Sequence, residues 1–342
     1  MALRSYEQFV TDQTKPVPAV VTTDLSRKTI ILAGANAGLG FEAAKHFARM
    51  NPARLILTTR DEAKGKKALA KIQASTGYTK AEFWILNLAN FGSIVAFADR
   101  ADRELDRLDI LVENAGIATW EYEQVEGWEK TYMAIHTNNL GPGLLAIHMI
   151  PKMLETAHKH LVNPRLVIVA SDIHYWTTIE KDVIASLGIL TKLSDREYST
   201  EEVMKHRYHD SKLLNVLFAQ ALQLHVPSFP AITVNSVTPG LCFSNIRSGA
   251  PAKEAEHLQK IREELGFTTE EGSRQLVYAA VGSLDDEEKL RRKYINRSEV
   301  VEESDFVISK DGKIIQDKVW DEMLKIFGKI DPKVVAICRS HL

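Results

Sequence analysis

The chain has 342 residues, of which 45% are hydrophobic and 26% are charged, and its formal net charge is -2. This length suffices for two average domains or for one α/β domain with insertions. The near balance of charge provides no electrostatic footprint for nucleic acid or an anionic membrane, so we expect neither as a partner.

The two cysteines, Cys242 and Cys338, lie far apart and away from any histidine cluster. This disfavours a disulfide framework and a structural zinc site, so we expect no metal and a reducing compartment. The N-terminus lacks the apolar region of a signal peptide, and no apolar run is long enough to cross a bilayer. We therefore expect a soluble cytoplasmic protein. The final Ser340-His341-Leu342 is similar to the Ser-Lys-Leu peroxisomal address, which leaves the peroxisome open as an alternative.

Short β-branched runs alternate with longer amphipathic stretches along the chain. The runs predict strands at 29–34, 54–59, 81–87, 108–114, 165–171 and 231–237, and the stretches predict helices at 39–50, 61–75, 92–106, 128–160 and 205–225. Such alternation is typical of βαβ units. We expect an α/β fold over residues 28–300, a Rossmann-type doubly wound parallel sheet with helices on both faces in a single domain.

Four further segments lie outside this alternation. Residues 172–204 and 241–270 follow predicted strands as long insertions, and insertions at the carboxyl ends of strands are typical of lids over a ligand. We expect 175–204 and 243–255 to be mobile without ligand. Residues 1–27 are predicted to be a surface arm, and residues 301–342 a short hairpin around Asp311-Gly312 followed by a helix.

A glycine turn, "GANAGLG" at residues 34–40, separates the first predicted strand from the first predicted helix. Gly34, Gly38 and Gly40 allow a tight turn and a close approach of the backbone to a ligand, and the helix that follows offers free N–H groups to a phosphate. The spacing is GxxxGxG and differs from the common GxGxxG. The turn predicts a dinucleotide site, with a plain tight connection as the alternative.

The end of the second predicted strand distinguishes between two cofactors. An NAD site places an acid there to bind the ribose 2′-OH, whereas an arginine suits the 2′-phosphate of NADP. Here Arg60 follows the strand, Asp61 is in position to cap the next helix, and Lys64 is one turn further on. We therefore expect NADP(H). The alternative is that Arg60 is only a solvated surface charge.

Tyr208 and Lys212 are four residues apart at the start of an apolar helical pattern, so they share one face of the helix. A free phenol has a pKa near 10 and exchanges protons poorly at neutral pH. A lysine about 4 Å away could lower that pKa by up to about three units, which would make the phenol an acid/base catalyst. The alternative is that Tyr208 packs in a half-buried helix start and Lys212 extends to solvent.

Further motifs occur in a fixed order on the predicted elements: Asn114-Ala115-Gly116 after the fourth strand, Asn138 in the long helix, Ser171 at the end of the fifth strand, and Pro239-Gly240 after the sixth. With the glycine turn and "YHDSK", they resemble the short-chain dehydrogenase/reductase family over roughly residues 28–300. The stretch "RDEAKGKKA" resembles the retinol-dehydrogenase-like branch, and "ENAG" with "GWEKTY" resembles its fungal relatives.

The resemblance implies a role for each matching residue. Tyr208 matches the family's general acid/base, Lys212 its partner, Ser171 the donor to the carbonyl oxygen and Asn138 the holder of a relay water. The cofactor residues that it implies are Gly34, Asn36, Gly38, Leu39, Gly40, Arg60, Lys64, Asn87, Leu88, Asn114, Ala115, Gly116, Tyr208, Lys212, Pro239, Gly240 and Ser244. Ala33, Glu113 and Asn87 depart from the family pattern; these departures concern the adenine side and leave the chemistry intact.

Together these features predict a carbonyl reductase or alcohol dehydrogenase acting on a small molecule, and we also consider a homodimer. The predicted substrate pocket consists of Trp120, Ile173, His174, Tyr175, Trp176, Leu241, Cys242 and Phe243. These apolar and aromatic side chains suit a hydrophobic or aromatic carbonyl compound and its alcohol. Alternatively, the two tryptophans anchor their loops. The rival function is a non-catalytic dinucleotide-binding sensor or scaffold, and the GxxxGxG spacing argues against an epimerase or dehydratase.

Overall fold

The computed structural model of the protein describes residues 4–125, 128–229, 231–244, 246 and 249–342. Its central feature is an eight-stranded sheet in the order β3–β2–β1–β4–β7–β8–β9–β10, parallel throughout except for the last pair. Its strands are β1 Thr29–Ala33, β2 Arg54–Thr59, β3 Ala81–Ile85, β4 Ile110–Glu113, β7 Arg165–Val169, β8 Thr233–Val237, β9 Tyr294–Asn296 and β10 Glu299–Val301. A separate antiparallel pair joins β5 Gln124–Val125 to β6 Trp128–Tyr132.

The sheet forms because its central strands are continuous apolar runs that are buried on both faces, as parallel strands require. In the register of the sheet, Ile31 of β1 lies beside Ile56 of β2 and Leu111 of β4. These three side chains belong to the apolar core on one face, whereas Ile30 and Leu32 belong to the core on the other. The alternation places one apolar core on each face of the sheet, which confirms the predicted fold.

Helices cover both faces of the sheet. They are α1 Tyr6–Thr14, α2 Gly38–Arg49, α3 Glu62–Thr76, α4 Phe91–Glu104, α5 Met133–Ile135, α6 Gly141–His160, α7 Lys181–Ala185, α8 Ile189–Leu193, α9 Glu201–His225, α10 Ala252–Leu265, α11 Thr269–Val281, α12 Asp305–Ile308, α13 Lys310–Ile330 and α14 Lys333–His341. Helices α2 and α11 pack together on one face, and α4, α6 and α9 pack on the other. No helix within the described ranges is long and apolar enough to cross a membrane.

The C-terminal region differs from the prediction, because the hairpin expected around Asp311-Gly312 is the first turn of α13. The Ser309 hydroxyl accepts a hydrogen bond from the Gly312 N–H at 3.0 Å and caps that helix. Buried apolar side chains then recur with helical spacing at Ile315, Val319, Met323 and Phe327. This periodicity outweighs the turn tendency of Asp-Gly.

The hairpin lies earlier in the chain, between β9 and β10, and it was missed because its turn contains no glycine. Arg297 and Ser298 occupy the left-handed region with φ angles of 53° and 60°. Two successive left-handed residues are what a two-residue hairpin turn requires.

The helix predicted over 128–160 is interrupted. Its first five residues form β6, and a π-helical turn over His136–Leu140 separates α5 from α6. The extra residue in such a turn rotates the side chains relative to those of a regular α-helix, and π-turns are frequent at functional sites. This turn carries Asn138.

The insertion at 172–204 is packed into the fold. Glu322 of α13 accepts hydrogen bonds from the Leu190 and Thr191 N–H groups at 2.9 and 3.0 Å. The Tyr122 hydroxyl donates to the Ser194 carbonyl at 2.8 Å, and the Thr177 hydroxyl donates to Asp210 of α9 at 2.8 Å. The second predicted lid, 243–255, includes Asn245, Arg247 and Ser248, which lie outside the described residues.

At the other end of the chain, Ser340 and His341 belong to the last turn of α14, and Leu342 packs against the core.

Candidate active site

A cavity of about 440 Å³ opens at the carboxyl ends of β1, β2 and β4, where the chain's strand order reverses. Such a switch point is where open α/β sheets bind ligands. The predicted cofactor residues that line it are Gly34, Asn36, Gly38, Leu39, Arg60, Lys64, Asn87, Leu88, Asn114, Ala115, Gly116 and Ser244. Of the others, Gly40 packs behind the turn, and Tyr208, Lys212, Pro239 and Gly240 lie outside this lining.

The glycine turn is shaped by two close approaches. Gly34 has a φ of +74°, and a Cβ added there would lie 2.7 Å from the Ala115 Cβ. A Cβ on Gly40 would lie 2.4 Å from the Gly34 carbonyl oxygen, which also accepts a hydrogen bond from the Asn114 amide at 2.9 Å. Both positions therefore require glycine, and Asn114 ties the turn after β1 to the end of β4.

Helix α2 begins at Gly38, inside the cavity lining, and its N-cap residue Ala37 provides no side-chain hydrogen bond. The first N–H groups of a helix have no partner within the helix and favour an anion. A diphosphate group at this point would meet free N–H donors and a backbone without side chains at Gly34 and Gly38. The residues present therefore fit a dinucleotide.

The two cations expected at the end of β2 also line this cavity. Asp61 is occupied elsewhere, because its carboxylate accepts the Lys64 N–H at 2.9 Å and caps α3, as the sequence predicted. Arg60 is exposed at the cavity edge, and Lys64 is in the first turn of α3 beside it. The rim of the cavity is therefore positive where the chain leaves β2.

Two departures from the family pattern have distinct environments. Glu113 is fully buried, and neither of its carboxyl oxygens has a hydrogen-bond partner among the described residues. Burial raises the pKa of Glu113 well above its ordinary value and so favours the neutral carboxyl. Asn87 lines the cavity, and its Oδ1 accepts the Ala89 N–H at 3.1 Å, which fixes the loop after β3.

Lys212 lies in the interior of the site, with 3% of its surface exposed. Its ammonium donates to the Val169 carbonyl at 2.8 Å and lies 5.8 Å from the centre of the Tyr208 ring. A Cβ added to Gly116 would be 3.6 Å from the Lys212 Nζ and 3.4 Å from the Asn138 Oδ1. The structure thus brings together Tyr208, Lys212, Asn138 and the turn after β4. Burial lowers the pKa of the Lys212 ammonium to about 8.

The Asn138 side chain is committed to protein groups. Its Oδ1 accepts the Ile117 N–H at 2.8 Å, and its Nδ2 donates to the Ile117 carbonyl at 2.8 Å and to the Ser211 hydroxyl at 3.0 Å. Asn138 therefore fixes the loop after β4 against α9 at Ser211, the residue that precedes Lys212. A relay water would have to use the second lone pair of Oδ1 or the Asn138 backbone, since both amide hydrogens are engaged.

Ser171 follows β7 and begins a 3-10 helix over Asp172–Trp176, which packs against α9. Its hydroxyl oxygen accepts a long hydrogen bond from the Ile173 N–H at 3.4 Å. No residue in the described part of the chain takes the hydroxyl hydrogen of Ser171, so it remains available as a donor. Val169, which accepts the hydrogen bond of Lys212, is two residues earlier in the chain, so Ser171 follows the strand end that contacts α9.

Three of the predicted substrate residues are buried and make their contacts within the core. His174 is fully buried, with Nδ1 2.8 Å from the Ser171 carbonyl and Nε2 accepting the Ser304 N–H at 3.3 Å. Burial lowers the pKa of His174 to about 4. Tyr175 donates its hydroxyl hydrogen to the Glu302 carbonyl. The Cys242 sulfur packs against Gly272 of α11, where an added Cβ would lie 2.3 Å from it.

The other predicted substrate residues are at least partly accessible. Ile173, Trp120 and Leu241 are half-buried, and Phe243 is 42% exposed. Trp176 is 37% exposed, but its indole N–H donates to the Arg4 carbonyl at 2.8 Å and its ring packs on Phe9. Trp176 therefore anchors its loop, which is the alternative that the sequence left open.

Sequence reasoning missed several residues of the cavity, including Thr58, Ile117 and Thr137. Thr58 is the buried penultimate residue of β2, and its hydroxyl accepts a hydrogen bond from the Gly34 N–H at 3.1 Å. Ile117 and Thr137 directly adjoin Gly116 and Asn138, so adjacency to a motif was the available signal.

The family model described as short chain dehydrogenase matches residues 28–172. The short chain dehydrogenase/reductase dmxR8 of Cryptosporiopsis sp. is 35% identical over 319 residues, which cover 92% of this chain and 95% of that relative. The chain belongs to the short-chain dehydrogenase/reductase family. The short chain dehydrogenase FGM9 of Gibberella zeae is 32% identical over 339 residues, covering 98% of this enzyme and 95% of that one.

Solved structures agree with this short-chain dehydrogenase/reductase in fold. A short-chain dehydrogenase from Sphingobium yanoikuyae in complex with NADPH has a TM-score of 0.54 at 21% identity, covering 87% of this chain and 95% of that chain. Salutaridine reductase from Papaver somniferum has a TM-score of 0.55 at 20% identity, covering 79% of this chain and 100% of that chain. The family resemblance to fungal members, predicted from the sequence, is confirmed, and the chain is an oxidoreductase.

Proposed function

We propose that this short-chain dehydrogenase/reductase is NADP(H)-dependent and interconverts a hydrophobic or aromatic ketone or aldehyde with its alcohol. The observation that carries the proposal is the buried Lys212 ammonium, 5.8 Å from the centre of the Tyr208 ring and 2.8 Å from the Val169 carbonyl. Lys212 has no carboxylate partner among the described residues, so its buried charge is costly to retain, and it faces a phenol beside a dinucleotide-shaped cavity.

The glycine turn and the start of α2 would hold the diphosphate, Asn114 to Gly116 the adenosine side, and Tyr208, Lys212 and Ser244 the nicotinamide side. When bound, the nicotinamide supplies or accepts the hydride. In reduction, the Ser171 hydroxyl donates a hydrogen bond to the substrate oxygen as negative charge develops there. Tyr208 then gives its proton to that oxygen and becomes a phenolate, which the Lys212 ammonium stabilises. In oxidation the same phenolate removes the proton.

NADP(H) is supported over NAD(H) by the rim of the cavity at the end of β2. Asp61, the only acid among the described residues at this rim, already caps α3. Arg60 and Lys64 line the same edge, and neither forms an ion pair with an acid among the described residues, so the local charge suits the phosphate on the ribose 2′ position.

A hydrophobic substrate is supported by the accessible apolar side chains on the loops that follow β4, β7 and β8. Ile173 follows it within the 3-10 helix, Phe243 lies on the loop after β8, and Trp120 follows β4. Burial of apolar surface would supply most of the binding free energy, and Ser171 with Tyr208 would fix the orientation of the carbonyl.

The test is NADPH oxidation with a panel of aromatic aldehydes and ketones. We expect turnover with wild-type protein and a loss of at least about 100-fold in Tyr208→Phe with little change in NADPH affinity, because only the proton donor is removed. Tyr278→Phe, whose hydroxyl lies on α11 near Ser283, is the matched control and should keep full activity. NADPH binding without turnover across the panel would favour the sensor or scaffold, and an active Tyr208→Phe would remove Tyr208 from the mechanism.

A further inference from the structure

The N-terminal segment, residues 4–16, lies across the two loops that leave the carboxyl ends of β7 and β8. Sequence reasoning treated it as a surface arm, yet Phe9 and Gln13 of its helix α1 are buried, at 7% exposure each. One loop begins with Asp172, directly after Ser171, and the other begins with Gly240 and Leu241. These are the loops that flank the proposed carbonyl site.

Arg4 holds the first loop through an ion pair of low exposure. Its guanidinium lies 2.9 Å from the Asp172 carboxylate, with 8% of the Arg4 side chain and 5% of the Asp172 side chain exposed, and it also pairs with Asp12. The Tyr294 hydroxyl donates to the same Asp172 oxygen at 2.9 Å. Removing one partner from a buried ion pair leaves the other charge without compensation. Arg4 therefore helps to hold the Asp172 carboxylate in place, together with Tyr294.

The same loop is attached to the segment at its far end. The Trp176 indole N–H donates to the Arg4 carbonyl at 2.8 Å, and the rings of Phe9 and Trp176 meet edge to face with centroids 5.2 Å apart. Both ends of the 3-10 helix, Asp172 and Trp176, are thus fixed by residues of the N-terminal segment. Ser171 directly precedes this helix.

Gln13 holds the second loop through three hydrogen bonds. Its Nε2 donates to the Leu241 carbonyl at 3.0 Å and to the Leu265 carbonyl at 2.8 Å, and its Oε1 accepts the Leu241 N–H at 3.1 Å. One side chain therefore joins the start of the loop to the end of α10. The segment itself is anchored to the β9–β10 turn, because Arg297 donates to the carbonyls of Asp12 and Pro16 at 2.9 and 2.8 Å.

We propose that Arg4 and Gln13 are positioning residues for the carbonyl substrate. The N-terminal segment sets the spacing between the loops after β7 and β8, and through Asp172 it sets the orientation of Ser171. This inference rests on the proposed function, since it concerns the pocket of the same reaction. No described residue of the segment lines the cofactor cavity, and the loop that Gln13 holds reaches that cavity at Ser244 and Ile246, so we expect the larger effect on the carbonyl compound.

The test compares Arg4→Gln and Gln13→Ala with Glu7→Gln, an exposed residue on the same helix. We expect the KM for an aromatic aldehyde to rise by at least about fivefold in the first two variants, the size of one lost hydrogen bond, while NADPH dissociation constants stay within about twofold. Hydrogen exchange should accelerate at 172–176 in Arg4→Gln and at Leu241 in Gln13→Ala. Glu7→Gln should match wild type in all three measurements.

Unchanged KM values and unchanged exchange in the two variants would overturn the proposal. If Arg4→Gln does not fold, Trp176→Phe tests the same attachment, because it keeps a ring against Phe9 and removes only the donor to the Arg4 carbonyl. If wild-type protein reduces no carbonyl compound, the proposed function fails, and the exchange measurements alone then decide whether the segment holds the loops. A rise in the NADPH dissociation constant equal to the rise in KM would also overturn it.

Discussion

The charge of Lys212 should set the pH at which this enzyme works. The ammonium lies 5.8 Å from the centre of the Tyr208 ring, and unit charges at that separation interact by about 3 kcal/mol at an effective dielectric of about 20. Lys212→Met keeps an unbranched side chain and removes the charge. The Tyr208 phenolate should then lose about 3 kcal/mol of stabilisation, which is equivalent to about two pH units.

Alcohol oxidation is the direction that shows this effect, because Tyr208 must be a phenolate to take the proton. We expect the rate at pH 7 to fall about 100-fold in Lys212→Met and the pH of half-maximal rate to rise by about two units. Burial lowers the pKa of Lys212 to about 8, so the wild-type ammonium is charged at pH 7. Rates should be measured at saturating NADP⁺, since Lys212 is also among the residues proposed to hold the nicotinamide side of the cofactor.

The stability of the same variant separates catalysis from misfolding. The pKa of Lys212 is lower in the folded protein than the usual value near 10.4, so burial of its charge costs stability in full below pH 8 and ceases to do so above pH 10.4. Lys212→Met should therefore melt at a higher temperature than wild type at pH 7, with the gap narrowing from pH 8 to 10. Lys205→Met, exposed on the same helix, is the control. An unshifted pH profile with weaker cofactor binding would refute the electrostatic role.

Three further results are expected. Arg60→Ala should raise the KM for NADPH about 10- to 100-fold more than that for NADH, as a lost charged hydrogen bond would; an equal response would make Arg60 a surface charge. Because burial raises the pKa of Glu113 in the folded protein, this residue lowers the free energy of unfolding increasingly as the pH rises above about 4.3. The melting temperature of Glu113→Gln should therefore rise relative to that of wild type between pH 4 and 8, and a constant difference would contradict this. Hydrogen exchange across 243–255 should slow when NADPH and substrate bind, and equal protection in all states would make the segment fixed structure.

The sheet and the cofactor side were predictable because local signals determine them. The strand predicted at 54–59 is observed as Arg54–Thr59, since a buried parallel strand appears as a continuous apolar run. Asp61 in front of an amphipathic stretch marks the start of α3 by the chemistry of the N-cap. The turn over 34–40 is recognisable because only glycine permits the close contact of Gly34 with Ala115.

The substrate side was harder to predict because distant parts of the chain decide it. Residues 173–176 all adjoin Ser171 in sequence, but a 3-10 helix directs successive side chains about 120° apart. Whether His174 and Tyr175 face a pocket or the core depends on Glu302 and Ser304, which bind them from more than a hundred residues away. Trp176 depends in the same way on the N-terminal segment. No local pattern contains this information.

The proposed catalytic groups are held by main-chain atoms at the ends of neighbouring strands, and this choice of partner matters for the proposed chemistry. Lys212 donates to Val169 at the end of β7, and Asn138 clamps Ile117 four residues after β4. A carboxylate would orient the ammonium of Lys212 equally well, but it would cancel the positive charge that stabilises the Tyr208 phenolate. A carbonyl fixed by the sheet orients the lysine and leaves its charge uncompensated. Burial of this uncompensated charge lowers the pKa of Lys212, and the proposed mechanism forms the Tyr208 phenolate within reach of that charge.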